Sequence, residues 1–147
     1  MHKPCVLFLC TGNSCRSQMA EGWTRVLWGD RMTAYSAGIN ASGLDPIAVQ
    51  VMQEAGVDIS RQYSKQLEEM NEVNFSLVVT VCDSAYEACP IFPGRVRVLH
   101  AGFDDPPKLA QSAQTEEEAL ACYRRVRDEI RAFVEKIPEE LHKNVDS

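Results

Sequence analysis

No stretch of the 147 residues approaches eighteen consecutive apolar positions, so a membrane-spanning helix is excluded. Positive charge is scarce, with fifteen Lys and Arg against twenty-one Asp and Glu for a net charge of −6, and no basic cluster beyond Arg124-Arg125. The footprint of a nucleic-acid or membrane-surface binder is therefore missing, and any anion site must be local. Met1-His2-Lys3-Pro4 runs straight into a short strand, without the long apolar core of a signal peptide, and a cytoplasmic protein is expected. C-x-x-C knuckles are lacking, which leaves zinc unsupported, and repeats, low-complexity tracts and linkers are lacking too. One domain, residues 1–147, is expected, 45% hydrophobic and long enough for a proper core. Six cysteines in a cytoplasmic chain read as redox or catalytic groups before structural disulfides.

What the chain does have is Cys10-Thr11-Gly12-Asn13-Ser14-Cys15-Arg16-Ser17 directly after the apolar run Val6-Leu7-Phe8-Leu9. A thiol thus stands at the carboxyl end of a strand with an arginine six positions on. The intervening residues, Thr11, Gly12, Asn13, Ser14 and Cys15, let the backbone curl so that N–H groups and the start of the next helix face one hollow, and Arg16 closes it with a two-pronged guanidinium. Gly12 and Asn13 can take the positive-φ positions of such a turn. A tetrahedral anion fits there. The same donors are expected to draw the Cys10 pKa below the roughly 8.5 of a free cysteine. Ser17 can donate to the Cys10 sulfur or cap the helix, and Cys15 reads as structural.

The remainder alternates strand and helix. Met19-Ala20, Trp23 and Val26-Leu27 mark an amphipathic helix from about Ser17 to Trp28, and a short strand follows over Thr33 to Ala37. Asp45-Pro46 caps a second helix that stops at Gly56, and Ser60 to Met70 is loop with a short helix. Ser76 to Val81 is a β-branched run of the kind buried in a parallel sheet, and Arg95 to Leu99 is a fourth strand. Thr115-x-x-Glu118 opens a long helix with Leu120, Tyr123, Val126, Ile130, Phe133, Val134 and Ile137 on one face, and the tail from Glu139 is expected to fray. This pattern predicts an α/β fold, a doubly wound, four-stranded parallel sheet with helices on both faces. Ligands then bind at the strands' carboxyl ends, where Cys10, Cys82 and the loop after Leu99 converge.

Two further groups fall there. Cys82 and Cys89 bracket six residues; if these are helical, the Cα atoms stand roughly 10 Å apart, whereas a disulfide needs about 4.4 to 6.8 Å. The pair can bond only by local unwinding, which suits a reversible relay better than a staple. Asp105, fixed before Pro106, can hang over the loop and protonate a leaving oxygen. Cys5 and Cys122 read as core fillers, and His100 gives no signal separable from packing.

With these residues placed, the chain resembles the thioredoxin-coupled arsenate reductases, which share their fold with the low-molecular-weight protein tyrosine phosphatases. The resemblance rests on the loop from Cys10 to Ser17, on Val79-Thr80-Val81-Cys82, Cys89-Pro90 and Phe103-Asp104-Asp105-Pro106, and it covers nearly the whole chain. It implies that Cys10 attacks arsenate while Asp105 protonates the departing hydroxyl. Cys82 then attacks the arseno-cysteine to give a Cys10–Cys82 disulfide and arsenite, and Cys89 converts this to a Cys82–Cys89 disulfide that thioredoxin reduces. No bound cofactor is implied, the reducing equivalents coming from thioredoxin, and phosphate and sulfate are implied competitors. A monomer that detoxifies arsenic is the expectation. The alternative is a low-molecular-weight tyrosine phosphatase hydrolysing phosphate monoesters through Cys10, Arg16 and Asp105, but it would need aromatic walls, and Ser42-Gly43-Leu44 offers no ring. Some relatives bind potassium through positions matching Asn13, Glu21 and Ser36 with an aspartate where this chain has Lys65. The ammonium is expected to take the cation's place, so no metal is expected.

Overall fold

Val6, Leu7, Phe8 and Leu9 are all fully buried. Successive residues of a strand face opposite sides, so this is possible only where both faces of the sheet are covered. They belong to the central strand of the computed structural model, which describes residues 3–92, 94 and 96–142. In chain order the elements are β1 Cys5–Cys10, α1 Arg16–Trp28, β2 Thr33–Gly38, α2 Pro46–Glu54, a 3-10 turn Leu67–Met70, β3 Leu77–Thr80, α3 Asp83–Glu87, β4 Arg97–His100, α4 Pro106–Ala110, α5 Glu116–Glu135 and α6 Ile137–His142. The four strands form one parallel sheet in the order β2-β1-β3-β4. The chain turns from one side of β1 to the other between β2 and β3, and the crevice at such a reversal is where open α/β sheets bind ligands.

Register sets the site. Cys10 pairs with Gly38 across β1 and β2, Leu9 with Thr80 across β1 and β3, and Thr80 with His100 across β3 and β4. The ends of all four strands are therefore level, and the loops that leave them meet.

Helix α5 carries the largest amphipathic face, with Leu120, Tyr123, Val126, Ile130 and Val134 buried. Trp23 and Trp28 of α1 lie against it, their indole N–H groups donating to the carbonyls of Arg127 at 3.2 Å and Val134 at 2.8 Å. Thr115 caps α5 by accepting from Glu118 N–H, and the Glu118 carboxylate reaches back one residue further than a capping box requires, to Gln114 N–H. Asp45 caps α2 ahead of Pro46, accepting from Ile47 N–H at 2.9 Å.

Three boundaries differ from expectation. The long helix breaks at Lys136, so Ile137 starts α6 with Pro138 in its first turn, where a missing N–H costs nothing. The frayed tail is instead helical to His142 and tied down by an Arg97–Glu140 ion pair at 2.7 Å, with residues 143–147 outside the described range. The fourth strand begins at Arg97, and Arg95 lies outside the described residues.

Candidate active site

The loop between β1 and α1 is shaped from outside. Its carbonyls are drawn off by the segment after β2: Ile39 N–H donates to Cys10 O, Asn40 N–H to Thr11 O, Ser42 N–H to Gly12 O and Asp45 N–H to Ser14 O, all at 2.8–3.0 Å. The Ser64 hydroxyl adds a second bond to Gly12 O. With the carbonyls turned outward, the loop presents its N–H groups to a hollow of about 390 Å³. Helix α1 starts at the rim of this hollow. No side chain caps it, and no acidic residue stands in its first turn to compete with an anion.

One residue carries the tight turn. Among the described residues Asn13, with φ of 49°, is the one non-glycine at positive φ, whereas Gly12, expected to share that role, does not take a positive φ. Asn13 is completely buried. Its amide donates to Ser17 Oγ at 2.8 Å, and its own oxygen accepts from Lys65 N–H and from Gln18 Nε2. The Gln18 amide also holds Tyr63 O, and Gln62 in turn holds Gln18. Sequence reasoning missed this glutamine pair; the readable signal was a polar Gln18 within the buried stretch of α1. Ser17, read as a donor to Cys10 or a helix cap, instead accepts from Asn13 inside α1, whose N-cap is Cys15, and no hydrogen bond from it to Cys10 is present among the described residues.

Arg16 and Asp105 stand on the opposite lip. One Arg16 nitrogen donates to Phe103 O at 2.9 Å and the other lies 3.8 Å from the Asp105 carboxylate, so part of its fork is spent holding the loop after β4 over the hollow. Asp105 stands where it can hang over the loop, 3.8 Å from Arg16. It is the N-cap of α4, with Pro106 and Pro107 in the first turn, and because its side chain makes no capping bond the carboxylate is free to face the site. Asp104 points elsewhere, to Arg125 at 3.0 Å. Asn40, Ser42 and Pro107 complete the rim, which holds no aromatic ring among the described residues.

Cys82, at the end of β3, comes under the loop beside Cys10. Both thiols are buried and unbonded, and Thr11 Oγ1 lies 3.3 Å from the Cys82 sulfur. The expected lowering of the Cys10 pKa is overturned. The neighbouring Cys82 sulfur raises it, and burial raises it further against the pull of Arg16. Cys82 is the one drawn down, first by that same Cys10 thiol, then by the Thr11 hydroxyl, the Ala85 N–H at the start of α3 and the Arg16 charge, against its own burial. Two thiols share one proton here, and the thiolate belongs to the pair. Cys15 is buried and pushed up by desolvation. Cys89, just past α3, is half-buried and also raised by burial.

The Asn13, Glu21 and Ser36 cluster does not fit a potassium ion. Lys65 is buried, its ammonium donating to Tyr63 O at 2.8 Å over the Tyr63 ring and standing 3.8 Å from Glu21, which also accepts from Ser36 and Arg25. Activity and melting temperature are therefore expected to be the same in potassium as in sodium or choline salts at equal ionic strength. A potassium-specific rise in both would show that the ammonium leaves room for the ion.

The family profile described as low molecular weight phosphotyrosine protein phosphatase matches residues 5–147. The chain belongs to that family. Within it, the chain is 50% identical over 139 residues to an arsenate reductase of Bacillus licheniformis, covering 95% of this chain and 98% of that one. An arsenate reductase of Bacillus subtilis is 52% identical over 130 residues, 88% and 91% of the two chains. A solved arsenate reductase in the reduced state superposes with a TM-score of 0.71 at 29% identity, over 94% of this chain and 98% of that chain. Family members thus include proteins named for two chemistries, and the site must distinguish them. No helix among the described residues is long and apolar enough to cross a membrane.

Proposed function

We propose that this chain reduces arsenate to arsenite through Cys10, Cys82 and Cys89, with electrons supplied by a dithiol protein of the thioredoxin class. The observation that carries the reading is the second thiol: Cys82 lies buried beside Cys10, with Thr11 Oγ1 3.3 Å from its sulfur. A phosphatase needs one nucleophile and water. A buried neighbouring thiolate is useful where the sulfur–oxyanion adduct is to be opened by sulfur.

The steps balance. With the shared proton on Cys82, the Cys10 thiolate attacks arsenic(V); the loop N–H groups and Arg16 hold the three remaining oxygens, and Asp105 gives its proton to the departing hydroxyl, which leaves as water. Cys82 passes its proton to an arsenic-bound oxygen and attacks the Cys10 sulfur. The sulfur–arsenic pair returns to arsenic, which leaves as arsenite with a Cys10–Cys82 disulfide behind. The Cys89 thiolate then attacks Cys82 and frees Cys10. A partner dithiol reduces Cys82–Cys89, so two electrons pass from partner to arsenic in each cycle. Phosphorus(V) accepts no such pair, and the rim offers no ring to a phenyl ester.

The test is arsenate-dependent NADPH consumption with thioredoxin and its reductase, run beside glutathione with glutaredoxin. Turnover with the first pair is the expected result; hydrolysis of a phosphate monoester without any arsenate reduction would favour the phosphatase reading. Charge and tetrahedral shape are all the loop reads, so inorganic phosphate and sulfate are expected to raise KM for arsenate while leaving kcat unchanged. Arsenate kinetics indifferent to high phosphate would move the site elsewhere.

A further inference from the structure

His100 belongs to neither the loop nor the rim, yet three groups converge on it. The Thr80 hydroxyl lies 2.8 Å from Nδ1 and the Asp83 carboxylate 3.0 Å from Nε2, so Nε2–H donates to Asp83 while Nδ1 accepts from Thr80. The Tyr86 ring lies against the imidazole, centroids 4.6 Å apart and tilted by 32°. A Cβ on Gly102 would stand 3.1 Å from Nε2, a tight contact that glycine avoids.

Asp83 and Tyr86 are two of the five residues of α3, and of the other three only Ala85 is buried. A helix this short does not persist in water by itself. One imidazole at the end of β4 thus holds Asp83 and Tyr86, two positions of this short helix, beside the buried Ala85. This is the helix whose Ala85 N–H supports the Cys82 thiolate and whose rise separates Cys82 from Cys89.

We propose that His100 is a positioning residue of the thiol relay, a clasp that holds residues 83–87 wound in the reduced protein and is released when Cys82 bonds to Cys89. The inference rests on the relay proposed above. His100 itself exchanges no electrons. When the Cys89 thiolate attacks Cys82 and Cys10 departs as thiolate, the segment shortens, and Asp83 and Tyr86 leave the imidazole. When a partner dithiol returns two electrons and two protons, α3 rewinds onto it. The clasp therefore favours the dithiol form and makes the disulfide easier to reduce.

The experiment equilibrates the full chain carrying Cys10→Ser, which confines the relay to Cys82 and Cys89, in reduced and oxidised dithiothreitol, with the disulfide located by peptide mass. Adding His100→Phe keeps a ring against Tyr86 but removes both hydrogen bonds. The expected result is a three- to tenfold shift of the equilibrium toward the disulfide, a potential more negative by up to about 30 mV, with hydrogen exchange over 83–88 of the reduced protein rising toward that of the oxidised. His100→Gln, able to donate to Asp83, recovers part of the shift. Tyr86→Ala covers the case in which His100→Phe does not fold. Tyr86 is exposed and alanine is the better helix former, so intrinsic propensity alone would strengthen α3, whereas the clasp predicts the same shift toward disulfide. An unshifted equilibrium, even with a lower melting temperature, overturns the clasp and leaves the relay standing. Failure of the Cys10→Ser parent to form a Cys82–Cys89 bond overturns both.

Discussion

Given arsenate and thioredoxin, Cys89→Ser is expected to release about one arsenite per chain and then stop, with Cys10 joined to Cys82. The two thiols that open the arsenic adduct are already side by side in the buried floor of the site, so the first turnover needs nothing from Cys89. Exchange onto the surface does. Cys10 and Cys82 are 4% and 5% exposed, too little for a partner protein's sulfur to approach in line, whereas Cys89 lies past α3 with its sulfur near Pro90 O and within reach of solvent. Steady-state turnover should fall on the order of 10³-fold or more, while the burst remains, as expected when one member of a covalent sequence is lost. Cys10→Ser by contrast should give neither burst nor adduct. Mass spectrometry of trapped peptides reads both. Sustained turnover of Cys89→Ser with thioredoxin alone would remove Cys89 from the relay.

Gly38→Ala is expected to lower kcat/KM for arsenate about 10²-fold with the sheet intact. Gly38 ends β2 opposite Cys10, and its N–H is tied to Lys65 O at 2.7 Å, so it cannot retreat. A Cβ there would stand 2.7 Å from Thr11 O, 2.9 Å from Asn13 N and 3.0 Å from the Gly12 carbonyl carbon. All three are loop backbone, so relief requires the anion cradle itself to shift, and displacements on the order of 1 Å cost about that factor where geometry carries the chemistry. Weaker competition by phosphate should accompany the loss, and unchanged kinetics would mean that the loop yields without losing its shape.

The strands and the main helices were legible because each is announced by a strong local signal. The apolar run Val6 to Leu9 just ahead of the loop reads as an inner strand, Asp45-Pro46 is a helix start, and Thr115 with Glu118 opens α5. Helix α4 was hidden because Asp105-Pro106-Pro107 serves equally as a turn and as a helix N-terminus, and only packing against α5 decides. The placement of the site's proton was hidden for a different reason. The loop around Cys10 argues for a lowered pKa when read alone, but Cys82, seventy-two residues on, stands beside it and the two thiols share one proton. His100 was silent likewise, since its partners Asp83 and Tyr86 carry no mark in the sequence and become meaningful only when β3 and β4 set them beside it.

Lys65 has a consequence for the conditions under which the loop keeps its form. A diffusing cation leaves as its concentration falls, whereas an ammonium on the chain is present at constant local concentration whatever the surrounding electrolyte. What such a charge answers to is acidity. Burial lowers the pKa of Lys65 against the attraction of Glu21, so raising the pH removes this charge before that of an ordinary lysine. Glu21 would then keep Arg25 and Ser36 alone, and Asn13, whose oxygen is held by the backbone of Lys65, would lose the tension behind it. What holds the Asn13 turn then answers to alkalinity, through one buried ammonium, in place of the concentration of a diffusing ion.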